Sequence, residues 1–156
     1  MTYRIGGLSS EAFAGLFGKD DAALAEYGAV RVTATGKPGY PCRITLDDAE
    51  PGETLILLNH VSHDVATPYR SAYAIYVRET AVEAATFEDA LPPVFENRPM
   101  AFRAFDSNGM LRNAALALPG EADAKIRMLF DQPEIAYIHA HNAAHGCFSA
   151  KVERSG

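Results

Sequence analysis

Apolar and polar residues alternate along several short segments of the chain, and turn residues separate these segments. Val30 and Val32 alternate with polar neighbours, which predicts a strand over residues 29–34. Residues 55–58 are apolar on both faces, a pattern typical of a buried central strand, here over residues 53–61. Residues 69–79 are rich in Tyr, Ile and Val, which predicts another strand, and further strands are predicted over residues 3–5, 42–46, 100–105 and 110–118.

Helical signals occur near the N-terminus and late in the chain. Ser9 or Ser10 is placed to cap a helix over residues 11–17, and Asp20 is placed to cap a second one over residues 21–27, which Gly28 ends. Apolar residues at helical spacing predict a third helix within residues 120–130. One helical turn is expected over residues 86–91, before two prolines.

The C-terminal segment predicts an antiparallel hairpin. Residues 135–141 and 147–152 alternate like two strands, and Gly146 suits the left-handed position at the end of the turn between them. The order of elements predicts an α+β fold with a largely antiparallel sheet, two short N-terminal helices and one late helix before the C-terminal hairpin. With 156 residues and no linker-like segment, the chain is expected to form a single domain, residues 1–156.

Alternation in this hairpin also separates two faces. Ile138 and Phe148 belong to the apolar sets that we expect to face the main core. Side chains two residues apart on a strand point the same way, so His139, His141 and Cys147 are expected to share the opposite face.

Three interpretations of this polar face remain open. It is a solvated surface, it is the floor of a polar cleft covered by a loop, or it binds a metal ion. The metal ligands would be His139, His141 and either Cys147 or His145. Imidazole and thiolate ligands together favour zinc or a similar divalent ion. No nucleotide-cofactor motif is present in the sequence.

Two further segments carry candidate functional groups. Cys42 adjoins Arg43, and a cysteine beside an arginine is a candidate nucleophile or redox thiol, although an ordinary buried cysteine explains the same pattern. Arg70 is a candidate for binding a carboxylate or phosphate, with a salt bridge as the alternative. Arginines scattered among predicted strands of a negatively charged protein favour a small anionic ligand.

Charge and hydropathy narrow the functional classes. The net charge is −6 and the arginines do not cluster, which argues against nucleic-acid binding. The longest apolar run is too short to cross a bilayer, and the N-terminus lacks the apolar core of a signal peptide. Two cysteines without an export signal predict reduced thiols in a cytoplasmic protein.

Six phrases of the sequence carry a family resemblance, and they occupy residues 37–43, 48–53, 57–59, 68–71, 75–79 and 137–147. Taken together they resemble a bacterial family of unknown function, domain-of-unknown-function family 1203. The resemblance covers nearly the whole chain and implies a compact single-domain bacterial protein, without implying an activity. In the family pattern His60 and His145 are not fixed as histidine. This favours other residues as the functional ones, namely His139, His141, Cys147 and Cys42.

The leading functional hypothesis is a small-molecule binding protein or enzyme. Its cleft would be lined by His139, His141, Cys147, Cys42 and Arg70. In an enzyme the histidines would act as acid–base groups or metal ligands, and a cysteine would act as nucleophile or further ligand. Arg70, Arg43 and Asn142 would bind an anionic substrate. The alternative is a non-catalytic interaction module, in which the hairpin face docks a partner or a second subunit.

Overall fold

The computed structural model of the protein describes all of its residues, Met1–Gly156. Two α-helices are present, α1 (Asp21–Ala25) and α2 (Ala122–Phe130), with 3₁₀ turns over Ser10–Ala12, Ala14–Leu16 and Pro93–Phe95. Neither helix has the length and hydropathy that crossing a membrane requires. The strands, in chain order, are β1 (Thr2–Gly6), β2 (Val30–Thr33), β3 (Thr54–His63), β4 (Ser71–Arg78), β5 (Thr86–Glu88), β6 (Met100–Phe105), β7 (Leu111–Ala117), β8 (Tyr137–Asn142) and β9 (Phe148–Ser155).

The strands form two antiparallel sheets. Six strands pair in the order β5-β1-β9-β8-β6-β7, and three strands pair in the order β2-β3-β4. The predicted α+β class is therefore confirmed. The strand predicted over residues 53–61 is β3, the centre of the smaller sheet. The C-terminal hairpin, β8 and β9, lies in the middle of the larger sheet between β6 and β1.

The main core lies on one face of the six-stranded sheet. Ile138 and Val152, which pair across β8 and β9, are fully buried there. Helix α2 packs on the same face and buries Ile126 and Leu129 in this cluster. A second apolar cluster packs Phe13 and other N-terminal residues against β3 and β4.

The three-stranded sheet covers part of the other face of the larger sheet. Tyr73 of β4 meets His141 of β8, with ring centroids 5.0 Å apart. His63 at the end of β3 meets His139, with ring centroids 4.9 Å apart. Rings of aromatic and imidazole side chains therefore fill the space between the two sheets at β8.

Three local predictions are wrong. Residues 42–46 form a turn rather than a strand, since the Leu46 N–H donates to the Cys42 carbonyl. Residues 86–88 form β5, because pairing with β1 outweighs the weak helical preference of so short a segment. The helix expected over residues 11–17 is two separate 3₁₀ turns, the first capped by Ser9.

Phe148 lies on the histidine face of the hairpin, which corrects its predicted place in the main core. A bulge between the pairs Ala140–Ala150 and His141–Phe148 adds one residue to β9. The extra residue reverses the side-chain direction at Phe148, whose ring lies 5.1 Å from that of His139. Alternation alone does not reveal a bulge, so the predicted register holds only for residues 150–152 of β9.

Candidate functional site

A cavity of about 600 Å³ lies beside the turn that joins β8 to β9. Its volume falls within the range of small-molecule binding sites. The walls combine prolines and tyrosines with a few polar groups, and no carboxylate is among them. The lining residues are Pro38, Gly39, Pro41, Arg43, Tyr73, Ala74, Tyr76, Arg98, Pro99, Asn142, Ala143, Ala144, His145 and Cys147.

Arg43 and Cys147 meet at the wall of this cavity. The Nη2 group of Arg43 donates to the sulfur of Cys147 at 3.0 Å. The other two guanidinium nitrogens donate to main-chain carbonyls, Nε to Phe148 at 2.8 Å and Nη1 to Pro41 at 2.5 Å. The arginine thus fixes the loop before it to the start of β9 and holds the thiol between them.

The charge of Arg43 has no carboxylate partner. Its side chain is buried, with 2% exposure, and none of the salt bridges in the structure includes it. Burial lowers the pKa of the Arg43 guanidinium, while the sulfur atoms of Cys147 and Cys42 act in the opposite direction. A buried charge without a counter-charge is costly. The Cys147 sulfur is the one side-chain group to which Arg43 donates a hydrogen bond.

Asn142 fixes the turn that carries Cys147. Its backbone N–H donates to the Cys147 carbonyl at 2.9 Å, and its carbonyl accepts from the Gly146 N–H at 2.8 Å. Gly146 adopts the expected left-handed conformation, with a φ of 79°. The side-chain Nδ2 of Asn142 lies 3.5 Å from the sulfur, and its buried Oδ1 has no hydrogen-bond partner. The side chain therefore retains an unused acceptor beside the thiol.

Arg98 is the second cation of the cavity, and it forms an ion pair with Asp48. Its Nη2 donates to one carboxylate oxygen at 2.7 Å and its Nη1 to the other at 2.9 Å. Burial alone would raise the pKa of Asp48, but the bonds from Arg98 and from the Gly39 N–H outweigh it and hold that pKa below its usual value. Because this arginine is already neutralised, the unpaired positive charge of the wall belongs to Arg43.

The two predicted strand histidines are buried and do not line the cavity. His139 is 4% exposed and His141 is 2% exposed, because β3 and β4 cover them. Interpretation of this face as solvated surface is therefore wrong. His139 and His141 are therefore not part of the exposed surface of the chain.

Burial also determines the charge of these imidazoles. It lowers the pKa of His139 to about 3, with further lowering from the charges of His63 and His141. It lowers the pKa of His141 to about 4, against a smaller opposite effect of the hydrogen bond with the Gly146 carbonyl. Both rings are neutral near pH 7, and the Nδ1 of His141 donates to that carbonyl at 2.9 Å. Through this hydrogen bond, His141 stabilises the turn before Cys147.

We expect His141→Ala to lower the free energy of unfolding by about 1 to 3 kcal/mol, since it leaves a cavity and an unpaired carbonyl at Gly146. His145→Ala is the matched control, because His145 is exposed in the same turn. Its effect is expected to stay within about 0.5 kcal/mol. Urea unfolding of both variants checks this, and equal stability of the two would contradict the supporting role.

The structure places Cys42 away from the cavity. Its side chain is 1% exposed within the cluster that packs on β3 and β4. The sulfur lies 3.3 to 3.4 Å from the backbone nitrogens of Ile44, Thr45 and Arg78, which fits a structural role at the centre of the turn. Neither cysteine forms a disulfide in the structure.

Arg70 lies at a different cavity. This second cavity has a volume of about 320 Å³ and is lined by Pro68, Tyr69, Arg70, Ser71, Tyr73, Arg103, Phe105 and Leu111. Arg70 is half-exposed there and pairs with Asp64 at 3.0 Å. The predicted cleft is thus divided: Cys147, Arg43 and Asn142 share the first cavity, and Arg70 belongs to the second.

The residues predicted as metal ligands do not converge. No group of three or more His, Cys, Asp or Glu side chains in the structure is placed to hold a metal ion. His139 instead packs among aromatic rings, including those of Phe105 and Phe148.

Sequence reasoning missed Tyr73 and Arg98, and it indicated Arg103 only as one of the arginines scattered among predicted strands. Tyr73 lines both cavities, and Arg103 donates to its hydroxyl at 2.6 Å. These contacts join β4 to β6, which belong to different sheets. Neither spacing nor a motif signals a contact between sheets, so this sequence alone held no sign of them.

Comparison with known proteins gives one match. The sequence profile of a family described as "Protein of unknown function (DUF1203)" matches residues 39–154, more than half of the chain. No curated protein and no solved structure matches. The matched span contains Arg43, Asn142 and Cys147, and the resemblance drawn from the sequence is confirmed.

Proposed function

We propose that this chain, which belongs to the DUF1203 family of proteins of unknown function, binds a small organic molecule in the first cavity and uses Cys147 as a nucleophile toward it. The observation that carries the proposal is the 3.0 Å contact between the buried Arg43 guanidinium and the Cys147 sulfur. A cationic donor at this distance stabilises negative charge on sulfur, and the thiolate is the reactive form of cysteine. The thiolate in turn supplies the counter-charge that Arg43 lacks.

The position of Cys147 supports access by a ligand. The residue is half-buried and lines the cavity, whereas Cys42 is enclosed in the apolar cluster. Prolines and tyrosines offer apolar contact to the body of a ligand, and a few polar groups fix its orientation. Cys147 is thus accessible to a small molecule in the cavity, whereas Cys42 is not.

The reaction class that fits is nucleophilic attack on an electrophilic carbon. The thiolate forms a carbon–sulfur bond, and the electron pair of the bond that breaks leaves with the departing group. Asn142 Nδ2 and Arg43 Nη2 both donate to the Cys147 sulfur, so the attacking atom is positioned before the ligand binds. His145, at the exposed rim of the same cavity, is the histidine available for proton transfer.

Alkylation by iodoacetamide tests the proposal, with mass spectrometry of the peptides that contain each cysteine. At about pH 6.5 we expect native Cys147 to react at least about tenfold faster than the cysteines of the urea-unfolded chain. Native Cys42 should remain unmodified in the same sample and serves as an internal control.

Two arginine variants show whether Arg43 causes this reactivity. Arg43→Gln removes the donor to sulfur, and Arg154→Gln is its match, since Arg154 also donates to carbonyls and lacks a carboxylate partner. The rate of Cys147 at pH 6.5 should fall at least about fivefold in the first variant only. If Arg43→Gln does not fold, Arg43→Lys replaces it. The proposal is wrong if native Cys147 reacts no faster than the cysteines of the unfolded chain.

A further inference from the structure

Arg103 differs from every other arginine of the chain. Its Nη1 donates to the hydroxyl of Tyr73 at 2.6 Å, and its guanidinium contacts no carboxylate and no main-chain carbonyl. Seven arginines have a carboxylate partner, and the other two, Arg43 and Arg154, donate to carbonyls. Four of the five guanidinium N–H groups of Arg103 therefore lack a protein acceptor.

The surroundings of Arg103 supply no negative charge. Its neighbour across the β6–β8 pair is His139, an imidazole that is neutral near pH 7. The second cavity, which Arg103 lines together with Arg70, contains no carboxylate among its lining residues. Of the two arginines that line this cavity, Arg70 is paired with Asp64 and Arg103 has no carboxylate partner. An anion is the species that would neutralise it.

Arg103 and Tyr73 also leave hydrogen-bond donors unused in this cavity. The Tyr73 hydroxyl accepts from Arg103, and its own proton has no acceptor in the structure. The remaining Arg103 N–H groups and this O–H are thus free to donate. Oxygen atoms of a phosphate or carboxylate group accept such bonds, and a guanidinium binds them in a forked geometry.

We infer that the second cavity is an oxyanion-binding site, in which Arg103 and the Tyr73 hydroxyl hold a phosphate or carboxylate group. Arg70 lies at the rim and adds positive charge, although its pair with Asp64 and its exposure weaken this contribution. The volume of about 320 Å³ exceeds that of a bare oxyanion and leaves room for a small organic body against Phe105 and Leu111. This inference does not rest on the reactivity of Cys147.

Titration with inorganic phosphate and with acetate, each against chloride at equal ionic strength, tests the site. Nuclear magnetic resonance of the backbone amides gives both the location and the dissociation constant. We expect at least one of the two anions to bind the wild-type protein in the millimolar range, with shifts centred on residues 69–73 and 103–105. Tighter binding of phosphate assigns the site to phosphate groups, and tighter binding of acetate assigns it to carboxylates.

Three variants distinguish binding of the anion at this site from its nonspecific attraction to positive charges on the protein. Arg103→Gln should weaken binding at least about tenfold and Tyr73→Phe several-fold, because each removes donors to the oxyanion. Arg112 lies on β7, the strand next to β6, and is a surface arginine paired with Asp106. Arg112→Gln should therefore leave binding of the anion unchanged. If Arg103→Gln does not fold, Arg103→Lys is used, and it should bind more weakly than wild type. Binding of neither anion, or equal binding by the Arg103 variant, overturns the inference.

Discussion

Replacing Gly7 with alanine is expected to lower the free energy of unfolding by at least about 3 kcal/mol. A Cβ atom at this position would lie 2.1 Å from the carbonyl oxygen of Ile44 and 2.9 Å from its carbonyl carbon. Both are backbone atoms, so no side-chain rotation relieves the contact. The Gly7 N–H donates to Ala85, and the next N–H, of Leu8, donates to Arg43. The substitution would therefore push the turn that carries Arg43 away from β1.

Gly6→Ala is the matched control for this prediction. A Cβ atom there has no neighbour within 4 Å, and its backbone does not adopt a left-handed conformation. Its effect is expected to remain within about 1 kcal/mol, and urea unfolding measures both variants. If the two glycine variants were equally stable, the close approach of β1 to the Arg43 turn would be wrong. Gly7→Ala should also slow alkylation of Cys147, since Arg43 would no longer hold the sulfur.

Acidification from pH 7 to about pH 5 is expected to lower the free energy of unfolding by roughly 4 kcal/mol. In the folded protein His139 and His141 have pKa values of about 3 and about 4, chiefly because burial penalises the charged imidazole. In the unfolded chain both have ordinary values near 6.5. Below about pH 6.5 the unfolded state therefore binds protons that the folded state does not, and stability is lost as the pH falls.

Burial also lowers the pKa of His60, which adds to the same slope, whereas the carboxylates of the chain contribute little in this pH window. In the unfolded chain they titrate near pH 4, below the range that is measured. Unfolding in urea at several pH values between 7 and 5 gives the slope directly. The double variant His139→Gln/His141→Gln should be less stable at pH 7 but should lose most of the slope. A wild-type stability that is constant over this range would contradict burial of neutral histidines between the two sheets.

Strand positions were predictable where burial of a sheet face determines the pattern of apolar and polar residues. The alternation at Val30 and Val32 correctly predicted β2, and the apolar run at residues 55–58 correctly predicted β3. The helix near residues 120–130 was predictable for the same reason, since its apolar residues face the core as α2. Local periodicity records which side of an element is buried.

The candidate site was predictable only in part. Sequence spacing brought His139, His141 and Cys147 together on the hairpin, but it gave no sign that a second sheet covers the histidines. The pairing of Arg43 with Cys147 joins residues 104 positions apart, and local pattern contains no information about such a contact. The bulge at Phe148 likewise depends on how β9 pairs with β8, and alternation alone predicts the wrong face for Phe148. Contacts between sheets thus explain most of what the sequence left open.

The most direct test of the account is the ultraviolet absorption of the Cys147 thiolate. The difference in absorbance at neutral pH between the wild-type protein and Cys147→Ser isolates this one sulfur, and the same difference is measured in the Arg43→Gln background. If Arg43 and Cys147 form an ion pair, thiolate absorption should be present with Arg43 and lost in the Arg43→Gln background. Absence of thiolate absorption from the wild-type protein, or an equal absorption without Arg43, would contradict the proposed nucleophile.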